Sequence, residues 1–142
     1  MRLIKPLMIA IALMAAGTMK VQAQDVKVPQ AYMFGFVASF NDSTVYFTNI
    51  QQVDSVWVTK KKQFLAGRNQ YSNQLREYFA QQRNMPNRTC VVVANVDRKK
   101  LEKKYIKMKN KYLVKSKKPY DVRNISENDF KFEAVDMSPL NK

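Results

Sequence analysis

The side chains that most often perform catalysis or bind metals are nearly absent from this chain. It contains no histidine, and its single cysteine, Cys90, lies within an apolar run. Histidine is the usual general base near neutral pH and a common metal ligand, so its absence argues against most acid–base and zinc chemistry. Cys90 could act as a nucleophile, but without a histidine partner a buried structural thiol is the favoured interpretation. The composition therefore predicts no catalytic residue, no metal site and no cofactor.

The carboxylates and glycines do not form a recognisable site either. Glu127 and Asp129 lie close together but lack the spacing of a calcium-binding loop, and a turn explains both. Three glycines in the whole chain are too few to build a phosphate-binding loop. A small enzyme or enzyme subunit stays an alternative only if tyrosine, carboxylate and lysine side chains meet in a pocket.

The most distinctive residues are the basic ones between Arg98 and Lys118. This segment has 11 lysines and arginines and one acid, Glu102, whereas the whole chain has 25 basic and 11 acidic residues. Such a concentration is typical of a surface that meets an anionic partner, although a charged run is more often only a solubilising face. If the segment does bind, the contact residues are predicted to be Lys100, Lys103, Lys104, Lys107 and Lys111.

A strand, a helix and a second strand are predicted to position these lysines. The apolar run Thr89–Val96 is typical of a strand covered on both faces, and Asp97 is placed to cap the helix that follows. Tyr120–Ile125 forms the second strand, and a crossover of this length normally joins parallel neighbours. At helical spacing, an apolar stripe faces the sheet while lysines project from the other side. The stripe consists of Leu101, Tyr105, Met108 and Tyr112.

The first part of the domain is predicted to be a β-hairpin. Aromatic residues alternate along Tyr32–Phe40, Asn41–Ser43 is a turn signal, and Thr44–Ile50 is rich in β-branched and aromatic residues. Asp25–Gln30 is predicted to be a flexible leader. Gln51–Leu65 is ambiguous, because its apolar residues fit either a helix or a short strand.

The remaining elements complete an α+β fold. Tyr71–Arg83 has the spacing of an amphipathic helix that stops before Pro86, and the alternation of Phe130–Ala134 suggests a last edge strand. We therefore predict a two-layer domain, with one mixed sheet of four or five strands and two helices packed on one face. A ferredoxin-like arrangement is the nearest alternative, but the leading hairpin departs from its order.

The first 23 residues are predicted to be a secretory signal peptide. Arg2 and Lys5 form a basic start, Leu7–Ala16 is apolar, and small residues around Ala23 suit cleavage. The apolar stretch is about half of the roughly 20 residues that cross a bilayer, so an uncleaved anchor is the weaker alternative. Residues 24–142 would then form one domain without a transmembrane segment, located in the periplasm or secreted.

Export changes which partners suit the basic helix. Nucleic acid is the usual partner of a basic patch but is disfavoured outside the cytoplasm. Anionic lipid headgroups, lipopolysaccharide, an acidic glycan or an acidic protein fit better. The favoured function is therefore a non-catalytic binding module, and an oligomeric structural protein that pairs through free sheet edges is a further alternative.

Two triplets and four longer stretches carry resemblances. Asp42-Ser43-Thr44 and Asp54-Ser55-Val56 are similar to an acceptor of some bacterial O-glycosylation systems, and turn capping explains them as simply. The sequence leaves open whether either serine is modified. Residues 32–43, 88–92, 120–123 and 129–132 resemble a family of short exported Gram-negative bacterial proteins without assigned function. The resemblance implies an envelope location and brings no activity, cofactor or site residue.

Overall fold

The computed structural model describes residues 25–138, in which five strands form one mixed sheet accompanied by two helices. The predicted α+β class, single mixed sheet and two helices are confirmed. The predicted signal peptide lies outside the described residues. In chain order the elements are β1 (Asp25–Ala38), β2 (Thr44–Thr48), β3 (Gln51–Thr59), α1 (Arg68–Gln81), β4 (Thr89–Asn95), α2 (Arg98–Leu113) and β5 (Asp121–Ile125).

The strand β1 is central, because it pairs with three others. One of its edges carries β2 and β3, and the other carries β4, all antiparallel. Phe36 lies opposite Phe47, and Met33 lies opposite Gln51. Between these two pairs β1 advances by three residues and its partner by four, so a β-bulge separates β2 from β3. The predicted hairpin is confirmed, and its second arm continues through β3.

The segments Asp25–Gln30 and Gln51–Leu65 both contribute to the sheet. The first, predicted to be a flexible leader, instead forms the beginning of β1 and pairs with β3. The second, left ambiguous by its sequence, is a strand as far as Thr59 and then turns. Its buried positions shift from Val53 to Val56 around Ser55, which has a positive φ of 59°. This irregularity interrupts the alternation of buried and exposed residues that would identify a strand in the sequence.

The later strands take the two edges that the hairpin leaves free. β4 pairs with β1, and β5 pairs in parallel with β2. β4 and β5 thus run in the same direction, as predicted, but they are not neighbours, since β1 and β2 lie between them. The expectation of a directly paired βαβ unit was wrong because it took no account of the edges that the hairpin offers.

The two helices pack on opposite faces of the sheet, which corrects the prediction that both lie on one face. Met33 and Val37 belong to the apolar cluster that includes α1 residues, whereas Phe34 belongs to the cluster that includes α2 residues. Successive strand residues point to opposite faces, so both faces of β1 are apolar and both require cover. The α1 residues that supply this cover are Tyr71, Leu75 and Phe79.

The helix α1 starts earlier than its apolar spacing indicates. It begins at Arg68 after Gly67, whose φ of 74° is left-handed and therefore suits glycine. No side chain caps this end. The Ser72 hydroxyl instead donates to the Arg68 carbonyl at 2.9 Å.

The predicted edge strand at Phe130–Ala134 is wrong, because this segment has no partner strand. Its backbone bonds instead to the side-chain amide of Gln51, which donates to the Phe130 carbonyl and accepts from the Phe132 amide, each at 2.8 Å. Gln74 binds both backbone groups of Glu133 in the same manner, at 2.8 and 2.9 Å. Two glutamines thus replace a strand, and Phe130 and Phe132 are buried as though they belonged to one.

These two glutamines allow a matched test of buried and exposed bonding. We expect Gln51→Met to lower the free energy of unfolding by about 2–4 kcal/mol, because it leaves a buried amide and a buried carbonyl without partners. Gln74→Met removes the same pair of bonds at an exposed site, where water replaces them, and should cost less than about 1 kcal/mol. Urea unfolding of both variants measures the difference. Equal losses would mean that burial of the Gln51 bonds contributes nothing.

Candidate binding surface

The basic helix α2 is held firmly at its start and along its inner face. The Asp97 carboxylate accepts hydrogen bonds from the amides of Lys99 and Lys100, at 2.9 and 3.4 Å, so the predicted cap is confirmed. The predicted stripe Leu101, Tyr105, Met108 and Tyr112 packs against the sheet.

Aromatic contacts fix the orientation of the helix about its axis. The ring of Tyr105 meets that of Phe34 edge to face, with centroids 4.9 Å apart. The ring of Tyr112 stacks on Phe36 at 5.2 Å. These contacts lie about two helical turns apart and leave the opposite side of α2 in a defined position.

All five lysines predicted to bind a partner are exposed. The ion pairs within residues 25–138 include one on α2, between Arg98 and Glu102 at 3.0 Å, and none of the five lysines takes part in any. Lys109 behaves differently, since its ammonium donates to Asn124 at 3.0 Å and supports the packing of the helix. The five predicted lysines are Lys100, Lys103, Lys104, Lys107 and Lys111.

Four of these lysines share one flank of the helix. At 100° per residue, Lys100, Lys104, Lys107 and Lys111 fall within about 60° of one another. Lys103 points about 70° away from the middle of this stripe. We call the four the lysine flank. The prediction included Lys103 because it considered only which lysines point away from the sheet.

A cleft of about 800 Å³ opens beside the lysine flank, along the strand β4. Lys100, Lys104 and Met108 form its α2 side, and the connection between β3 and α1 forms the facing side. The lining residues on that side are Lys62, Gln63 and Phe64 of the connection, together with Arg68, the first residue of α1. Cationic side chains therefore border the cleft on both sides, and they enclose one exposed aromatic ring, Phe64, which is 57% exposed.

Lys62 and Arg68 were not among the residues predicted from the sequence to bind a partner. The structure places Lys60–Lys62 in a turn after β3. The position of this turn opposite α2 depends on the path of the chain between β3 and α1. The residues of the turn do not indicate that path. The carboxylate in the cleft lining is Asp97, whose oxygen is already engaged by the amides of α2.

The candidate nucleophile Cys90 is buried, with 6% of its surface exposed. Burial raises the pKa of its thiol to about 11, despite the nearby guanidinium groups of Arg76 and Arg88. The group is therefore a neutral thiol near pH 7, which favours the structural interpretation. Within residues 25–138, no three histidine, cysteine or carboxylate side chains come close enough to hold a metal ion.

The acidic turns have structural explanations. Asp42 accepts the amide of Thr44 at 3.0 Å and forms an ion pair with Arg88. Both contacts lower the pKa of the Asp42 carboxyl, and the hydrogen bond from the Thr44 amide has the larger effect. Ser126 and Asp129 bond to each other within a turn that follows β5. An O-linked sugar on Ser43 or Ser55 stays a hypothesis.

None of the helices in the described part of the chain is long and apolar enough to cross a membrane. Comparison of the chain with protein-family models, with curated proteins and with solved structures finds no match.

The shifted thiol gives an expected pH dependence. Since the pKa of Cys90 is higher in the folded protein than in the unfolded chain, the folded state keeps a proton that the unfolded state releases. The contribution of the protonated Cys90 thiol to the free energy of unfolding should be complete below about pH 9 and lost as the pH rises toward 11. Urea unfolding across this range should show a steeper fall for the native protein than for Cys90→Ala. Parallel curves would contradict the burial of an uncharged thiol.

Proposed function

We propose that the protein is a non-catalytic binding module of the bacterial envelope, periplasmic or secreted, which binds an anionic partner through the lysine flank of α2. The observation that carries the proposal is the flank itself, with four exposed ammonium groups on one side of a helix that is fixed by its cap and its aromatic contacts. None of the four lysines has a carboxylate partner in the described part of the chain.

The arrangement is costly if it serves only solubility. Lys100 and Lys104, and likewise Lys107 and Lys111, stand four residues apart, where like charges destabilise a helix by roughly 0.2–0.5 kcal/mol a pair. Lys62 and Arg68 add positive charge from the facing side of the cleft. The same number of lysines spread over the surface would serve solubility without this repulsion. An anionic partner would neutralise the lysines and so remove the repulsion between them, and this relief would add to the free energy of binding.

The preorganisation of the flank supports recognition of a shaped partner. The side chains project from a rigid helix, so binding orders few backbone degrees of freedom. The partner classes that suit the flank are anionic lipid headgroups, lipopolysaccharide, acidic glycans and acidic proteins. All four carry repeated negative charges, and the binding of each should weaken as salt screens the flank.

Charge reversal tests the flank directly. We expect the combined change of Lys100, Lys104, Lys107 and Lys111 to Glu to weaken binding by more than about tenfold, a loss of about 1.4 kcal/mol. The probes are phosphatidylglycerol vesicles, a sulfated glycan and polyglutamate, each measured across a salt series.

The matched control changes four exposed lysines outside the helix, and therefore shifts the net charge by the same amount. These are Lys60, Lys61, Lys115 and Lys117. Binding by this control should stay within about threefold of the native protein, because long-range charge alone is strongly screened at physiological salt. Equal losses in both variants, with unchanged melting temperatures, would show that net charge rather than the flank governs binding.

A further inference from the structure

The outer edge of β4 has no partner strand among residues 25–138. Hydrogen bonds on the other side of β1 show which backbone groups of β4 point outward. The amide of Gly35 donates to Thr48 Oγ1 at 2.8 Å, and Thr48 belongs to β2, on the side of β1 away from β4. In this half of β1, the backbone N–H and C=O groups of odd-numbered residues therefore point toward β2, and those of even-numbered residues point toward β4. By the register of β1 with β4, the β4 residues whose backbone groups point away from β1 are Cys90, Val92 and Ala94.

The outward amide and carbonyl of Val92 have no partner strand in the described part of the chain. Backbone groups that a binding partner covers are nearly always hydrogen-bonded, so the free edge of β4 favours a partner with a backbone to pair. Residues 91–96 of this edge line the cleft beside the lysine flank. A chain that lies in the cleft in extended form runs along the free edge and can pair with it.

The charge of the cleft determines which chain would fit. Lys100 and Lys104 border it on the α2 side, and Lys62 and Arg68 border it on the other. An extended peptide presents same-face side chains about every 6.7 Å, and helix residues four apart are separated by about 6 Å along the axis. Carboxylates at alternate positions of a peptide therefore match the spacing of the flank, while the intervening side chains face Phe64.

We propose that this cleft binds an extended segment of an acidic protein, which adds to β4 as a further strand and carries Asp or Glu at alternate positions. Backbone bonds to β4 supply the docking, as in other cases of strand addition, and the lysines select the acidic sequence. The inference rests on the proposed function, because it uses the same flank, and it adds the class of partner and a second mode of contact.

The test uses a synthetic peptide of about nine residues in which Glu and Val alternate, long enough for a typical strand. Two further peptides are methylated on backbone nitrogens, one at the Glu positions and one at the Val positions. In an added strand only every second amide faces β4. One methylated peptide should therefore bind at least about tenfold more weakly, and the other within about threefold of the parent. The three peptides have equal charge, so side-chain attraction alone predicts similar affinities for the two methylated forms.

Amide hydrogen exchange provides a second measurement on the native protein. The parent peptide should slow exchange at Cys90, Val92 and Ala94 at least about tenfold, and should leave Val91 and Val93, which face β1, nearly unchanged. Equal effects of the two methylations, or slowing spread evenly along β4, would overturn strand addition. Slowing that rises with protein concentration in the absence of peptide would also overturn it, since the edge would then pair with a second copy.

Failure of the inference is distinguishable from failure of the proposed function. If charge reversal of the flank abolishes binding but the two methylated peptides behave alike, the flank binds anions and the β4 edge does not take part. If the peptide fails to bind while vesicles or glycan bind through the flank, the partner is not an acidic protein segment and the inference is wrong.

Discussion

The structure depends on one strand that is apolar on both faces and paired on both edges. Phe34 and Phe36 on one face of β1 need α2, and Met33 and Val37 on the other need α1 and the segment after β5. Each edge of β1 also needs a strand, because buried backbone groups must be hydrogen-bonded. With no disulfide in this part of the chain, burial around β1 supplies most of the stability. Every other element is placed by its relation to this strand.

The candidate surface follows from the same constraint. α2 is fixed because its aromatic residues cover one face of β1, and this directs the lysine flank toward the outer edge of β4. β4 itself has one edge on β1 and leaves the other without a strand in residues 25–138. A row of positive charge and a row of unpaired backbone groups therefore lie side by side. Each alone is common, and their combination is the basis for proposing a partner that is both acidic and extended.

Local patterns in the sequence were sufficient for the features that depend on neighbouring residues. The hairpin, the Asp97 cap and the apolar stripe of α2 are all set within a few residues, and each was predicted. The placement of the helices on opposite faces was not, although the alternation of Phe34 with Met33 and Val37 contained the signal. The predicted alternation of aromatic residues along Tyr32–Phe40 marks only one of the two apolar faces of β1.

The features that sequence reasoning missed are set by distant residues. The segment from Phe130 to Glu133 has the alternation of a strand, but Gln51 and Gln74 take the place of a neighbouring strand, and nothing in the segment itself indicates this. Likewise, Lys62 and Arg68 reach the cleft through the path of the chain after β3. The four lysines of the flank could be found from helical spacing, whereas the cleft beside them could not.

The segment after β5 has a consequence for the order in which the protein folds. Phe132 fills the space beside Gly35, where a side chain on that residue would also collide with Leu75, so the two ends of the described chain meet in the core. Such contacts between distant parts of the chain form late and slow folding, because the entropy of closing the long loop is lost before the contact contributes favourable free energy. Until residues 130–132 dock, the sheet and α1 have a gap in their core and expose apolar surface. This is the stage of folding at which the chain is most prone to aggregate.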